Sequence, residues 1–217
     1  VQATVYDIFN YTGSVTGATN LKVGYRGTVA DSGAKYTFTA GKYGADLTWN
    51  TTTGVWDVGT TANWVGDDTR FYSADKVTFG DIASDSVVTL TGTLLPGSVT
   101  VSNSANKYTF QTGVIGGATS LVKNNAGTLI IANNQSYTGG TTVNGGTLRL
   151  QGGGSTGTIR GTLTANSGTT IEIGGIDSLG YSTGADAVRT INLNSATLVH
   201  AHNRNEPTSP ALRTAGG

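Results

Sequence analysis

Ser136-Tyr137-Thr138-Gly139-Gly140-Thr141-Thr142-Val143-Asn144-Gly145-Gly146-Thr147-Leu148-Arg149-Leu150 is the stretch whose reading decides the fold. It holds two short alternating runs, 141–143 and 147–150, joined by Asn144-Gly145-Gly146. Alternation with period two and a wealth of Thr, Val and Leu are the marks of half-buried strands. The unit recurs on either side. Asn125-Ala126-Gly127-Thr128-Leu129-Ile130-Ile131 precedes it, and Asn166-Ser167-Gly168-Thr169-Thr170-Ile171-Glu172-Ile173 and Asn194-Ser195-Ala196-Thr197-Leu198-Val199-His200 follow. A looser copy places Asn103-Ser104-Ala105 after a strand at 99–101.

Each copy is a short strand, an Asn, small residues, a Thr and a second strand. The asparagines at 103, 125, 144, 166 and 194 step by 22, 19, 22 and 28 residues. A step near 20 residues predicts one coil of a β-solenoid, in which no coil buries its apolar face alone but stacked neighbours do. Asn103, Asn125, Asn144, Asn166 and Asn194 are therefore expected at the corners. Asn tolerates left-handed backbone angles, and the small residues after it relieve crowding. Stacked coils would place the amides in a file where they bond one another, as in cross-β ladders. Leu129 and Ile131 are expected over Leu148 and Leu150, then over Ile171 and Ile173, then Leu198.

Composition agrees with an all-β chain. The 217 residues include 33 Gly but only 3 Pro, and 12% are charged, against about 25% in an average domain. Thirteen basic residues balance thirteen acidic ones, so no basic stripe points to nucleic acid. No run of apolar residues is long enough for a transmembrane helix. Cys is absent, which excludes disulfides, thiolate metal sites and cysteine nucleophiles. The chain begins Val1-Gln2-Ala3 and has no Met, and reads as a processed piece of a longer precursor.

The division expected along the chain is a cap or irregular β region over residues 1–80, solenoid repeats over 81–202 and a tail or linker over 203–217. Strand-like pieces in the first region are 4–9, 20–25 and 35–39. A cap is expected because an open solenoid end exposes unpaired strand edges and its apolar core.

Two segments resemble the autotransporter-associated β-strand repeat family, also called passenger-associated transport repeats. One is 127–150, with its G-T-L strand, the Tyr137-Thr138-Gly139-Gly140-Thr141-Thr142-Val143 run and a second G-T-L strand. The other is Trp49-Asn50, Gly54-Val55-Trp56-Asp57, Ala62-Asn63-Trp64 and Asp75-Lys76-Val77-Thr78-Phe79-Gly80, an order found at the head of such solenoids. The resemblance implies a right-handed parallel β-helix, export to the bacterial cell surface or beyond, and a stalk or adhesive role.

Candidate chemistry is sparse. Glycoside hydrolysis needs two carboxylates at a set separation, and Glu172, the lone acid in the regular repeats, is expected to point outward. No catalytic residue, cofactor or metal is expected. His200 and His202 share a strand face but lack an adjacent third ligand. Asp67, Asp68, Asp75, Asp81 and Asp85 lack the spacing of a calcium loop. Trp49, Trp56, Trp64 and Phe79 are expected to form an aromatic plug, with a glycan platform as the alternative. Val5, Tyr6, Ile8 and Phe9 form a strand able to pair with another copy. The function expected is a non-catalytic structural or adhesive unit, whose partners are copies of itself end to end or the rest of a longer passenger. The alternative is a carbohydrate- or receptor-binding module on such a stalk.

Overall fold

A computed structural model describes residues 5–12, 24–41, 44–181 and 188–200. It is all-β: the described residues hold eighteen strands and no helix. Fifteen strands form two sheets. The first contains β4 (Asp46–Trp49), β6 (Trp64–Gly66), β7 (Lys76–Phe79), β9 (Ser98–Val101), β11 (Leu121–Lys123), β13 (Thr141–Val143), β15 (Gly161–Ala165) and β17 (Val188–Leu193), in the order β17-β15-β13-β11-β9-β7-β4-β6. The second contains β5 (Thr53–Trp56), β8 (Ser86–Leu94), β10 (Lys107–Ile115), β12 (Thr128–Ile131), β14 (Thr147–Leu150), β16 (Thr170–Ile173) and β18 (Thr197–His200), in the order β18-β16-β14-β12-β10-β8-β5. From β7 onward, strands alternate between the sheets and each pairs in parallel with the strand two places on, the arrangement of a β-solenoid.

The register follows from side-chain volume. Leu129, Leu148, Ile171 and Leu198 pair in succession, as do Ile131, Leu150 and Ile173, as the repeat alignment predicts. The paired residues from Leu129 to Ile171 are fully buried, and Ile173 nearly so. A one-residue slip would turn every one of them to solvent. Thr128, Thr147, Thr170 and Thr197 form the neighbouring file, where a β-branched hydroxyl suits a half-exposed strand position.

The parallel ladders begin at Asp46, which pairs with Lys76, upstream of residue 81. β5 is likewise the partner of β8. At the N-terminal end β6 runs antiparallel to β4 and covers its free edge. Asn63 donates Nδ2 to the Val55 carbonyl at 2.9 Å and so fills one acceptor on the free edge of β5. A separate antiparallel sheet is formed by β1 (Val5–Asn10), β2 (Gly27–Asp31) and β3 (Lys35–Ala40), with β3 central. β2 has no counterpart among the expected strands, and most of 20–25 lies outside the described residues, as do 203–217 and His202.

Arg26 ties this sheet to the first coils. Its guanidinium holds Asp75 through Nε at 2.8 Å and Nη2 at 2.6 Å, contacts Asp68 through Nη1, and lies 4.9 Å from the Tyr72 ring centre. Asp75 is fully buried and also accepts from the Ala45 and Tyr72 amides at 3.0 and 2.8 Å. A buried carboxylate persists only when its lone pairs are satisfied in this way.

Candidate functional site

The most regular polar feature is a file of amides along one corner. Asn144 donates Nδ2 to Asn124 Oδ1 at 2.9 Å, Asn166 to Asn144 Oδ1 at 2.7 Å, and Asn194 to Asn166 Oδ1 at 3.0 Å. Asn124 completes the file by donating to Ser102 Oγ at 3.3 Å. Every donor points toward the N-terminal end, so the bonds share one polarity and each amide in the middle is used on both sides. Amide chains of this kind polarise one another.

Two members differ from the repeat alignment. Asn124 stands in the file instead of Asn125, and Ser102 instead of Asn103. Asn125 has a left-handed φ of 56° and donates to the Ser102 carbonyl at 2.7 Å. Asn103 is buried, donating to the Asn106 and Thr128 carbonyls. The corner therefore divides the labour that the sequence suggested for a single residue. Asn124, Asn144, Asn166 and Asn194 bond along the axis, while the left-handed angle falls later, on Asn125, Gly146 (66°), Gly168 (77°) and Ser195 (57°). Asn144 itself is not left-handed.

The Tyr137–Val143 run has a packing explanation. Tyr137 is fully buried and its hydroxyl lies 2.7 Å from Thr141 Oγ1. Thr141 occupies an inward position between Leu121 and Leu163, so each of the two buried hydroxyls satisfies the other. Burial pushes the Tyr137 phenol above the ordinary range. Gly139 lies so close to the Thr119 carbonyl that a Cβ would come within 2.5 Å.

Lys123 was not singled out in the sequence, although the alternation of Leu121-Val122-Lys123 puts it on the core face. It is fully buried, between Val101 and Val143. Its ammonium donates to the carbonyls of Asn124, of Asn125 at 2.9 Å and of Gly145 at 3.4 Å. Burial lowers its pKa from 10.5 to about 8. The cation thus braces the turn where the ladder begins.

The aromatic residues pack at the N-terminal end of the core. Trp49, Trp56, Trp64 and Phe79 are between 0 and 3% exposed. Trp49 and Trp64 meet edge to face with centres 5.0 Å apart, Trp56 and Phe71 at 5.3 Å, and Phe79 reaches Phe110 at 4.8 Å. A sugar platform needs an exposed ring face, and these four rings present none.

Asp67, Asp81 and Asp85 are engaged in local structure. Asp81 accepts from the Ser104 amide at 2.6 Å, Asp67 from the Asp46 amide at 3.0 Å, and Asp85 from the Lys107 amide at 3.0 Å and its ammonium at 2.6 Å. Lys107 holds the Asp85 carboxyl below its ordinary range. Glu172 faces outward beside its rung partner Arg149, 3.8 Å away. No group of three or more His, Asp or Glu able to hold a metal occurs among the described residues. His200 is exposed in β18. Val5, Tyr6, Ile8 and Phe9 lie in β1, whose backbone already pairs with β3 on one side.

Parallel coils, in-register apolar files and an Asn ladder define a repeat-built β-solenoid segment. The sequence profile of the passenger-associated transport repeat matches residues 121–150, so the chain carries that repeat. The chain is also similar to the "Adhesin BmaC autotransporter" of Brucella suis biovar 1 (strain 1330), with 32% identity over 115 residues. That alignment covers 52% of this chain and 3% of the adhesin, so the chain spans a small fraction of that relative's length. No solved structure matches the chain. The repeat family implies a secreted or surface-exposed protein.

Proposed function

We propose that the chain is a non-catalytic segment of a bacterial surface stalk, a right-handed parallel β-helix that holds adhesive surface away from the cell. The observation that carries this reading is the continuous parallel pairing from β7 to β18, in register except for shifts at Thr112/Val114 in β10 and at Gly161/Thr162 in β15. One core column and one amide ladder run through successive coils, which makes a stiff rod of about 4.8 Å per coil. The adhesin relative supports the surface role by its name. In this reading β1–β3 and β6 close the N-terminal end, and the coils begin at Asp46. The three-stranded sheet is fastened by Arg26, and the aromatic cluster fills the first coils beneath β6.

Among the described residues, the last rung is partly exposed. Ile191 and Leu193 are 38 and 42% exposed, whereas Leu163 and Ala165, their partners one coil earlier, are fully buried. The partner that best fits this end is the next coil of a longer passenger. A second copy is the competing partner, but β6 already covers the β4 edge it would offer, and Asn63 fills one acceptor on the β5 edge. Electron microscopy of the purified chain tests the stalk. Short single rods with a right-handed coil path support it. Closed globules or a left-handed path would refute it, and concentration-dependent filaments would favour the second copy.

A second reading, a carbohydrate- or receptor-binding module on the stalk, has one observation in its favour. Tyr6 is 55% exposed and stacks on Phe38 with ring centres 6.4 Å apart and planes 24° apart. Binding of immobilised glycans that is abolished by Tyr6→Ala would establish it.

A further inference from the structure

The fold imposes a chemically labile pair on its own ladder. Asn144 is followed by Gly145, and Asn-Gly occurs nowhere else in the chain. Neither residue is free to change. Asn144 must both donate and accept, giving Nδ2 to Asn124 Oδ1 at 2.9 Å and receiving Asn166 Nδ2 at 2.7 Å. Gly145 packs on the preceding coil so closely that a Cβ would lie 2.8 Å from the Asn125 backbone nitrogen and oxygen, closer than non-bonded atoms approach. The ladder calls for the amide and the coil spacing calls for the glycine. Asn144 is also exposed to water.

We propose that Asn144-Gly145 is the deamidation site of this protein, and that the amide ladder keeps it unreactive while the coils are stacked. In the reaction the Gly145 backbone nitrogen loses its proton and attacks Asn144 Cγ. A new C–N bond closes a five-membered succinimide, and the side-chain nitrogen leaves as ammonia. Water then adds to either ring carbonyl and opens the ring to aspartate or isoaspartate. Glycine permits the attack because it puts no side chain in the path of the closing ring. The ladder opposes it, since Cγ must swing toward the Gly145 nitrogen and so abandon both of its amide bonds.

The product cannot rejoin the file as it stands. An aspartate at 144 has no hydrogen to give to Asn124 Oδ1, so the Asn124 amide must turn over and exchange its bond to Ser102 Oγ before the rung closes again, and isoaspartate also lengthens the backbone between β13 and β14. Opening of the corner and chemical conversion therefore reinforce each other, and damage accumulates in chains that have not folded or have begun to unravel.

The test is peptide mapping by mass spectrometry after incubation in mildly alkaline buffer, native and in urea. In urea, Asn144 reacts ahead of every other asparagine. In the native chain its conversion is at least about tenfold slower, because it waits on local opening. Asn166→Ala removes the donor to Asn144 Oδ1 and raises the native rate toward the rate in urea, whereas Asn192→Ala, outside the ladder, leaves it unchanged. Equal native and urea rates for the wild-type chain overturn the protection without recourse to any variant. A different asparagine reacting first in urea overturns the site. A folded Asn166→Ala chain with the wild-type native rate overturns the role of the ladder.

Discussion

Replacing Lys123 by Met is predicted to stabilise the protein. Lys123 is fully buried in a column otherwise filled by Phe79, Val101, Val143, Ala165 and Leu193. Its pKa falls from 10.5 to about 8 through burial, so folding with the ammonium form costs about 3 kcal/mol. Three carbonyls return part of this, and two of their residues, Asn124 and Gly145, lie at a half-exposed turn where water can replace the ammonium. Met keeps the unbranched stem and removes the charge, for a net gain of about 1–3 kcal/mol at neutral pH. The pH dependence has a definite sign. Between pH 8 and 10.5 the unfolded chain holds a proton on Lys123 that the folded chain has lost, so stability rises with pH across that window. The contribution is complete above 10.5 and is lost as pH falls through 8. Urea melts of both proteins at pH 7 and pH 10 read this directly. The advantage of the Met variant is largest at pH 7 and shrinks toward pH 10. A variant that melts lower at pH 7, or a difference between the two proteins that does not change with pH, would refute the reasoning.

Other perturbations separate the ladder, the core and the N-terminal clamp. Asn144→Ala loses two ladder bonds and should cost about 1–2 kcal/mol in urea melts. Asn144→Gly should do no better, because the left-handed angle belongs to Gly146; recovery with Gly would restore the single-residue corner. Trp56→Ala, at a fully buried ring in contact with Trp64, Phe71 and Phe79, should cost about 3–5 kcal/mol by thermal or urea unfolding. Arg26→Ala leaves the buried Asp75 carboxylate with only its backbone donors and should cost about 3 kcal/mol. Limited proteolysis should then release β1–β3 while the later coils stay resistant, and an unchanged cleavage pattern would count against the clamp.

Much of this was legible in the repeats, because solenoid stacking copies a local pattern onto its neighbours. Leu129, Leu148 and Ile171 could be placed over one another from the alignment of the repeats, with period two saying that all three face inward. The ladder was legible as chemistry but shifted by one residue in its first members. Asn124-Asn125 offers two candidates, and the turn from Asn124 to Thr128 has one residue more than that from Asn144 to Thr147. Only the inward file settles the choice, and there Lys123 stands where an apolar residue is expected. The division of corner duties between Asn144 and Gly146 was hidden for a similar reason, since both types tolerate left-handed angles and sequence does not say which one takes them. The Arg26–Asp75 clamp spans 49 residues and leaves no periodic trace. β2 was missed because Gly27-Thr28-Val29-Ala30-Asp31 is short and its alternation weak.

The central claim is that successive coils stack in one fixed register, and disulfide trapping tests it directly in a chain that has no cysteine of its own. Thr142 and Thr164 are rung partners on the outward face, with Cα atoms about 4.8 Å apart, inside the range a disulfide spans. Thr162 lies on the same face two residues away, about 8 Å from Thr142, outside that range. The stacked register predicts rapid intramolecular oxidation of Thr142→Cys with Thr164→Cys and little or none of Thr142→Cys with Thr162→Cys. Equal oxidation of both pairs, or preference for the offset pair, would contradict it.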